Sequence, residues 1–478
     1  MKKSLLLSAT LCFFLSPLLL ATGALAAEPS QALEGRLSII WGDSQPGEEH
    51  ETHRRLTLTN DAGVVTPLSM SDELLQGGVF RWNGSLVKVF PATEGETAKG
   101  ELRVAAIQLL EETLLGGGVT GSQPWVSILC KYSDIAAEPR NLAYFQGMYD
   151  NAPGRLDHYW REVSYDQIDI VGSTAVDWVN LPNPQSSYVS DPGSGTDADL
   201  NSIFNHCTAA VDHLVDFSLY VGINIMINDL LDCCAWGGSR FTTLDGVTRS
   251  WRTTWNPPWG FENETVIAHE MGHGFGLPHA NNFDADDNPY DSPWDVMSSA
   301  WGNATNDPTY GTLGKHINAY HKDQLGWFAP ARRFVTPDDS RTTITLDHTG
   351  ISDSSNYLIA TIPIAGNHWY TVEARQRFGD YELALAGDAV IIHEVRTNRG
   401  EPSWAVDADQ PPADFGSNPG TMWTVGETFT DAENQISVTV ESATADGFIV
   451  TIEFGDSVTI FEDGFESGDT TIWSSQLP

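Results

Sequence analysis

The chain has 478 residues, more than one hydrophobic core usually absorbs, so two or three domains are expected. Its 41% hydrophobic and 19% charged residues are far from the composition of a disordered chain. A formal net charge of -39 repels phosphate backbones and anionic lipid surfaces, which excludes nucleic-acid and acidic-membrane partners as the expected function.

Residues 1–26 read as a secretory signal peptide: Lys2 and Lys3, an apolar run from Leu5 to Leu20, and Ala24, Leu25 and Ala26 at the cut. Beyond it no apolar stretch reaches the roughly 20 residues that span a membrane, so a secreted, extracellular protein with a bacterial-type leader is expected. Cys12 leaves with the leader, and Cys130, Cys207, Cys233 and Cys234 remain. Four cysteines in an oxidising compartment allow three pairings. A ring closed by adjacent cysteines is strained, so Cys130 and Cys207 are each expected to bond one of Cys233 and Cys234, with free buried thiols as the alternative.

Residues 27–115 alternate β-like runs (37–41, 55–59, 86–90) with turn signals, predicting a β-rich N-terminal domain. His50 and His53 are wrongly spaced for one helix face and lie in a polar stretch, so they read as surface. The Gly/Ser/Pro-rich residues 116–124 read as a linker. Two readings of the N-terminal domain stay open: a propeptide that shields a site until it is removed, or a permanent accessory domain.

Residues 125–330 change to strands (126–130, 223–227) interleaved with helices (197–215), the pattern of one α/β segment. Residues 331–455 return to alternating runs separated by Gly, Pro, Asp and Asn, predicting a β-sandwich. Residues 456–478 read as an exposed tail.

The chemistry concentrates between Glu264 and His279. His269 and His273, four apart on a helix, lie on one face as two ligands of one metal must. Asn263 suits the N-cap, and Glu264 complements the positive end of the helix dipole. Gly276 can end the helix in the left-handed conformation and Pro278 prevents its resumption, which swings His279 back toward the other two histidines. Three imidazoles leave a fourth tetrahedral position for water, the mark of a catalytic zinc site. Glu270, beside a ligand without being one, is placed to take that water's proton as general base and pass it to a leaving amine.

This eleven-residue motif resembles that of the metzincin clan of zinc endopeptidases. The clan's second mark is a methionine in a tight turn below the zinc, and Met297 in the segment 295–299 follows at a suitable distance. Some members carry a tyrosine two residues later, where Ser299 stands here. The oxyanion donor is thereby left open, with Tyr320, His316 and His321 as candidates that also read as structural. Residues 157–182, Leu325 to Trp327 and Tyr370 to Gln376 are similar to segments of gametolysin-like and immune-inhibitor-A-like secreted peptidases, and the tail resembles one found on many secreted bacterial proteins.

In such enzymes an edge strand upstream of the zinc helix binds substrate backbone, and residues 235–239 are in the right region, a simple turn being the other reading. Residues 284–288 begin like a calcium loop, but Pro289 stands where that loop needs glycine, so calcium is unsupported. The expected fold class is therefore an α+β, metzincin-like catalytic domain with a twisted mixed sheet, flanked by a β-rich N-terminal domain and a C-terminal β-sandwich. The expected function is hydrolysis of peptide bonds in extracellular proteins with one catalytic zinc ion. The alternatives are a zinc hydrolase acting on glycoproteins or on a non-peptide bond, and an inert zinc-containing adhesion module.

Overall fold

A computed structural model of the chain describes residues 31–45, 53–112, 118–283, 288–409 and 419–455. The expected signal peptide, His50, most of the calcium-like loop and the tail lie outside the described residues. Among the described residues no helix is long and apolar enough to cross a membrane.

The N-terminal strands form where apolar residues alternate: Leu33–Ser44 (β1), His53–Thr59 (β2), Val65–Ser69 (β3), Leu86–Glu96 (β4) and Leu102–Glu111 (β5). Their inward side chains, among them Leu37, Ile39, Trp41, Leu58, Val87 and Val89, close a core of their own. Their sheet does not stop there. It continues through Cys234–Leu244 (β9), with Trp125–Lys131 (β6), Thr174–Asn180 (β7), Gly222–Ile227 (β8) and Val247–Asn256 (β10) beyond it. Ten strands run in the order β2-β3-β5-β4-β1-β9-β10-β8-β6-β7. The linker expected at 116–124 thus separates two stretches of sequence whose strands are hydrogen-bonded in one sheet.

Strands β10, β8, β6 and β7 are mutually parallel, and β9 runs antiparallel to both β10 and β1. Parallel strands are covered on both faces, which is why β6 and β8 are buried almost throughout. Alternation splits β6 between two cores. Trp125 and Leu129 face the side of helices Leu156–Ser164 (α1) and Glu264–Gly274 (α3), while Val126, Ile128 and Cys130 face Leu200–Val211 (α2). Asp199 caps α2 by accepting from Ser202 N at 2.9 Å.

That second core corrects the expected disulfides. Cys130 bonds Cys207, with Cα atoms 6.1 Å apart, and Cys233 bonds its neighbour Cys234. Cys207 lies on the buried stripe of α2 with Leu200, Ile203, Phe204 and Val211, directly over the face of β6 that carries Cys130. Helix-on-sheet packing therefore chooses the partner, and strain between adjacent cysteines does not.

In the C-terminal region two sheets face each other. Six strands, in spatial order Ala280–Asn282, Ser403–Ala405, Ala389–Arg396, His368–Arg375, Ile359–Ala365 and Arg333–Val335, form the first. The second holds Ser340–Asp347, Gly447–Phe454, Ile436–Ala443 and Thr428–Asp431. They share a core that includes Leu346, Ile362, Val372, Ile392, Val438 and Val450. The outermost strand of the first sheet, Ala280–Asn282, follows His279 immediately, so this sheet anchors the chain as it leaves the histidine cluster.

A candidate metal centre

Helix α3 is buried along its whole length, so its polar side chains need partners inside the protein. Its N-terminus corrects two expectations. Asn263 occupies the N-cap position without capping; its Oδ1 accepts from Thr312 N at 3.1 Å and its Nδ2 donates to Trp259 O. Glu264 is fully buried and accepts from Gly314 N at 2.7 Å, and burial pushes its carboxyl up to about 8. It is therefore mostly neutral near pH 7 and brings little charge to the helix dipole.

The three histidines meet as the spacing predicts. His269 and His273 Nε2 are 3.1 Å apart. Gly276 takes φ +97° after the helix, and His279 returns with its Nε2 3.2 Å from that of His273. Each of the first two rings is oriented by a carbonyl: His269 Nδ1 donates to Val296 O and His273 Nδ1 to Leu277 O, both at 2.7 Å. A neutral imidazole with its proton on Nδ1 presents a bare lone pair at Nε2. Lone pairs this close repel unless a proton or a metal cation lies between them. Ligands about 2.0–2.1 Å from a tetrahedral zinc lie about 3.3 Å from one another, close to the separations here.

Beneath the cluster, Met297 is completely buried, and a Cβ at Gly272 would lie 2.4 Å from its sulfur. The turn that holds it is tied by Asp295, which accepts from Met297 N at 2.7 Å and pairs with His321 Nδ1 at 2.8 Å. His321 thus braces the methionine turn from below. His316 pairs with Glu162, Tyr320 packs on Trp369, and Ser299 uses its carbonyl on Lys315. None of the four joins the imidazole cluster.

Glu270 is fully buried with neither carboxylate oxygen hydrogen-bonded. It sits against β9, where a Cβ at Gly237 would come within 2.7 Å of its Oε2. Residues 235–239 are therefore strand rather than turn, and not the edge strand expected, since β1 and β10 flank them; the glycine there is required by the approach of the helix.

Three further residues border the site, and sequence reasoning missed all three. Asp43, near the end of β1, places Oδ1 2.7 Å from His279 Nε2 and 3.2 Å from His269 Nε2, and Oδ2 3.4 Å from His273 Nε2. Tyr290 donates its hydroxyl to the same Oδ1 at 2.8 Å, its ring 5.3 Å from that of His279. Trp41, two residues before Asp43, stacks on His273 with ring centroids 4.8 Å apart and planes 8° from parallel. A signal for Asp43 does exist: Leu37, Ile39, Trp41 and Asp43 share one strand face, and its fourth member is a carboxylate where an apolar residue is due.

Burial alone would raise the Asp43 carboxyl, but the charges of His269 and His279 outweigh it and hold Asp43 well below the usual carboxylate range. Burial and then the Asp43 charge push Glu270 well above its ordinary value. Burial pushes His273 down to about 3. Among protein groups alone two buried carboxylates thus compete for too little positive charge, and a divalent cation between three imidazoles and a carboxylate would relieve both. The donor set of nitrogen and oxygen suits zinc.

Two other groupings among the described residues fit a metal less well. His53 lies near Cys233 and Cys234, whose sulfurs are tied in a disulfide, and His158, Glu162 and Asp380 lie nearer the surface. No family model, curated protein or solved structure matches the chain.

Proposed function

We propose that the chain is a secreted zinc endopeptidase of the metzincin kind, with His269, His273 and His279 as metal ligands, Met297 beneath them and Glu270 as general base. One observation carries the reading: three imidazole nitrogens converge beside a buried glutamate whose charge is shifted only by burial and by the carboxylate of Asp43, with no cationic partner. When bound, zinc would supply a Lewis acid that polarises a carbonyl and makes water nucleophilic near neutral pH.

The protein groups divide the remaining work. Glu270 accepts the proton of the attacking water and returns it to the leaving amine. Strand β9 offers the backbone row on which an extended substrate lies antiparallel. The Tyr290 hydroxyl is placed to donate to the oxygen that becomes negative, the part sought at Ser299. An inert zinc module is favoured by a single feature, the carboxylate of Asp43 closing the cluster, and opposed by Glu270, which a structural site does not need.

The test is casein hydrolysis by protein freed of residues 31–112 by limited proteolysis, comparing wild type, Glu270→Ala, and chelated protein with zinc restored. Glu270→Ala should keep one zinc and lose turnover by on the order of 1,000-fold. Full activity in that variant, or no cleavage of any denatured protein by wild type, overturns the reading.

A further inference from the structure

Away from the histidine cluster, helix α1 meets the loop that follows the strand His368–Arg375. His158 and Glu162, four residues apart on α1, share a face, and Asp380 in the loop approaches both. The donor atoms of the three lie within 4.8 Å of one another, with His158 Nε2 3.8 Å from Asp380 Oδ2. This grouping is more open than the imidazole cluster and holds fewer nitrogens, but its side chains are aimed from behind. The Tyr381 hydroxyl spends its one proton on Arg155 O at 3.3 Å and accepts from Gly154 N at 3.2 Å. Toward His158 Nδ1, 3.1 Å away, it can only accept, so the neutral ring keeps its proton there and turns a bare Nε2 lone pair to Asp380. Glu162 is fixed in the same manner. Lys322 Nζ, which can only donate, lies 3.2 Å from His316 Nδ1, so that ring carries its proton on Nε2 and donates it to Glu162 Oε1 at 3.2 Å. Gly379, at φ +63°, lets the loop fold over this carboxylate, and a Cβ there would fall 2.5 Å from Oε1. Arg161 on the same helix is engaged with Asp157, Asp166 and Asp169. A cavity of about 350 Å³, bordered by His158, Glu162 and Asp353, opens beside the group.

Independently of the peptidase reading, we infer that His158, Glu162 and Asp380 hold a divalent cation of the zinc kind, separate from the histidine cluster, which clamps helix α1 to the C-terminal sheets. One imidazole with two carboxylates is the donor set of a borderline cation, whereas calcium and magnesium take oxygen alone. A proton on His158 Nε2 would offset one carboxylate; a divalent ion offsets both. Water from the cavity completes the coordination. The hydrogen bonds from Tyr381 and His316 form the outer shell that orients metal-bound imidazoles and carboxylates. Two ligands come from α1 and the third from the C-terminal region, so the ion joins stretches of chain that are distant in sequence. The same face continues inward through His316 to Lys322 and the buried ion pairs of that junction.

The experiment uses the full chain, stripped by a chelator and dialysed against micromolar free zinc in millimolar magnesium and calcium. Bound zinc is counted in wild type, Asp380→Asn, His158→Ala and Tyr381→Phe, and the readout is the difference between proteins. Asp380→Asn and His158→Ala should each hold one zinc fewer than wild type. Asp380 is exposed, so its variant keeps the comparison valid if the helix variant misfolds. Tyr381→Phe, which removes only the group behind His158, should weaken the same ion by about 10-fold. Zinc should also raise the unfolding temperature of wild type over the range in which this ion binds, and no longer do so in Asp380→Asn. Equal zinc content and affinity in wild type and Asp380→Asn, or displacement of this zinc by magnesium or calcium, would overturn the assignment. Loss of the ion without loss of the zinc-dependent stabilisation would overturn the clamp. Failure of the histidine cluster to bind zinc looks different: it would lower every total by one and leave the difference between the proteins intact.

Discussion

Two buried polar clusters lie within this fold, and they are built on opposite plans. In the junction between the region of helix α3 and the C-terminal sheets, Arg375, Lys315 and Lys322 are gathered with Asp295, Glu373 and Glu382, as many cations as carboxylates. Arg375 pairs with Glu382, and Lys322 donates to Thr349 O at 2.8 Å and to the Tyr165 hydroxyl at 3.0 Å. The histidine cluster has nearly the same burial and no such balance: its groups turn lone pairs and carboxylates toward one point. Burial and shifted protonation occur in both, with Lys315 pushed by burial down to about 7 and His316 to about 3. Neither property therefore singles out a site; convergence without compensating charge does.

The comparison can be broken from either side. The largest effect is expected from His273→Ala, which should leave circular dichroism unchanged while abolishing stoichiometric zinc binding at the histidine cluster and, once residues 31–112 are released, all measurable casein hydrolysis. Retention of a tightly bound zinc there would show that the lone pairs do not need each other. Next comes Arg375→Leu, which strands two carboxylates in the interior and should lower stability by about 3–5 kcal/mol in denaturant melts, with zinc content per folded molecule intact. If that variant instead loses zinc before it loses structure, the two clusters are one.

How much of this was legible depended on sequence distance. The three clustered histidines, His269, His273 and His279, and Glu270 lie within one turn-rich segment, where helical period and a glycine stop dictate the geometry. Asp43 reaches His279 across 236 residues, a register that no local pattern encodes. The strands 126–130 and 223–227 and the helix near 197–215 were readable from periodicity, and their edges shifted by only a few residues in most cases. The joining of β1 to β9 was not, because the glycine-rich stretch between them marks a break in the chain and says nothing about hydrogen bonds across space. Tyr290 carries no local signal, because it follows an acidic run whose pattern is that of a cation-binding loop.

A smaller effect separates Tyr290 from the three histidines. Tyr290→Phe in the trimmed protein should keep its zinc and KM and lose about 100-fold in kcat, the usual worth of one oxyanion donor. An unchanged kcat would return the hydroxyl to a purely structural role against Asp43. The smallest expected change concerns Glu264, whose folded value near 8 stands above its ordinary 4.5. As pH rises between those values the unfolded chain ionises first, so the stability that this group allows at low pH is lost on the way to about pH 8. Glu264→Gln should match wild type near pH 4.5 and exceed it by about 1 kcal/mol or more above pH 8 in thermal unfolding. A constant difference across that range would mean that the carboxyl ionises normally in the folded protein.

The single ten-stranded sheet carries a cost that would appear only if β1 were removed. Departure of residues 31–112 would leave β9 as a bare rim, with unpaired amides and carbonyls and, at Gly237 and Gly238, no side chains to guard them. Such rims recruit any extended chain, including another copy of the same molecule. Self-association and substrate capture would then compete for one row of hydrogen bonds, and the trimmed protein should lose specific activity as its own concentration rises.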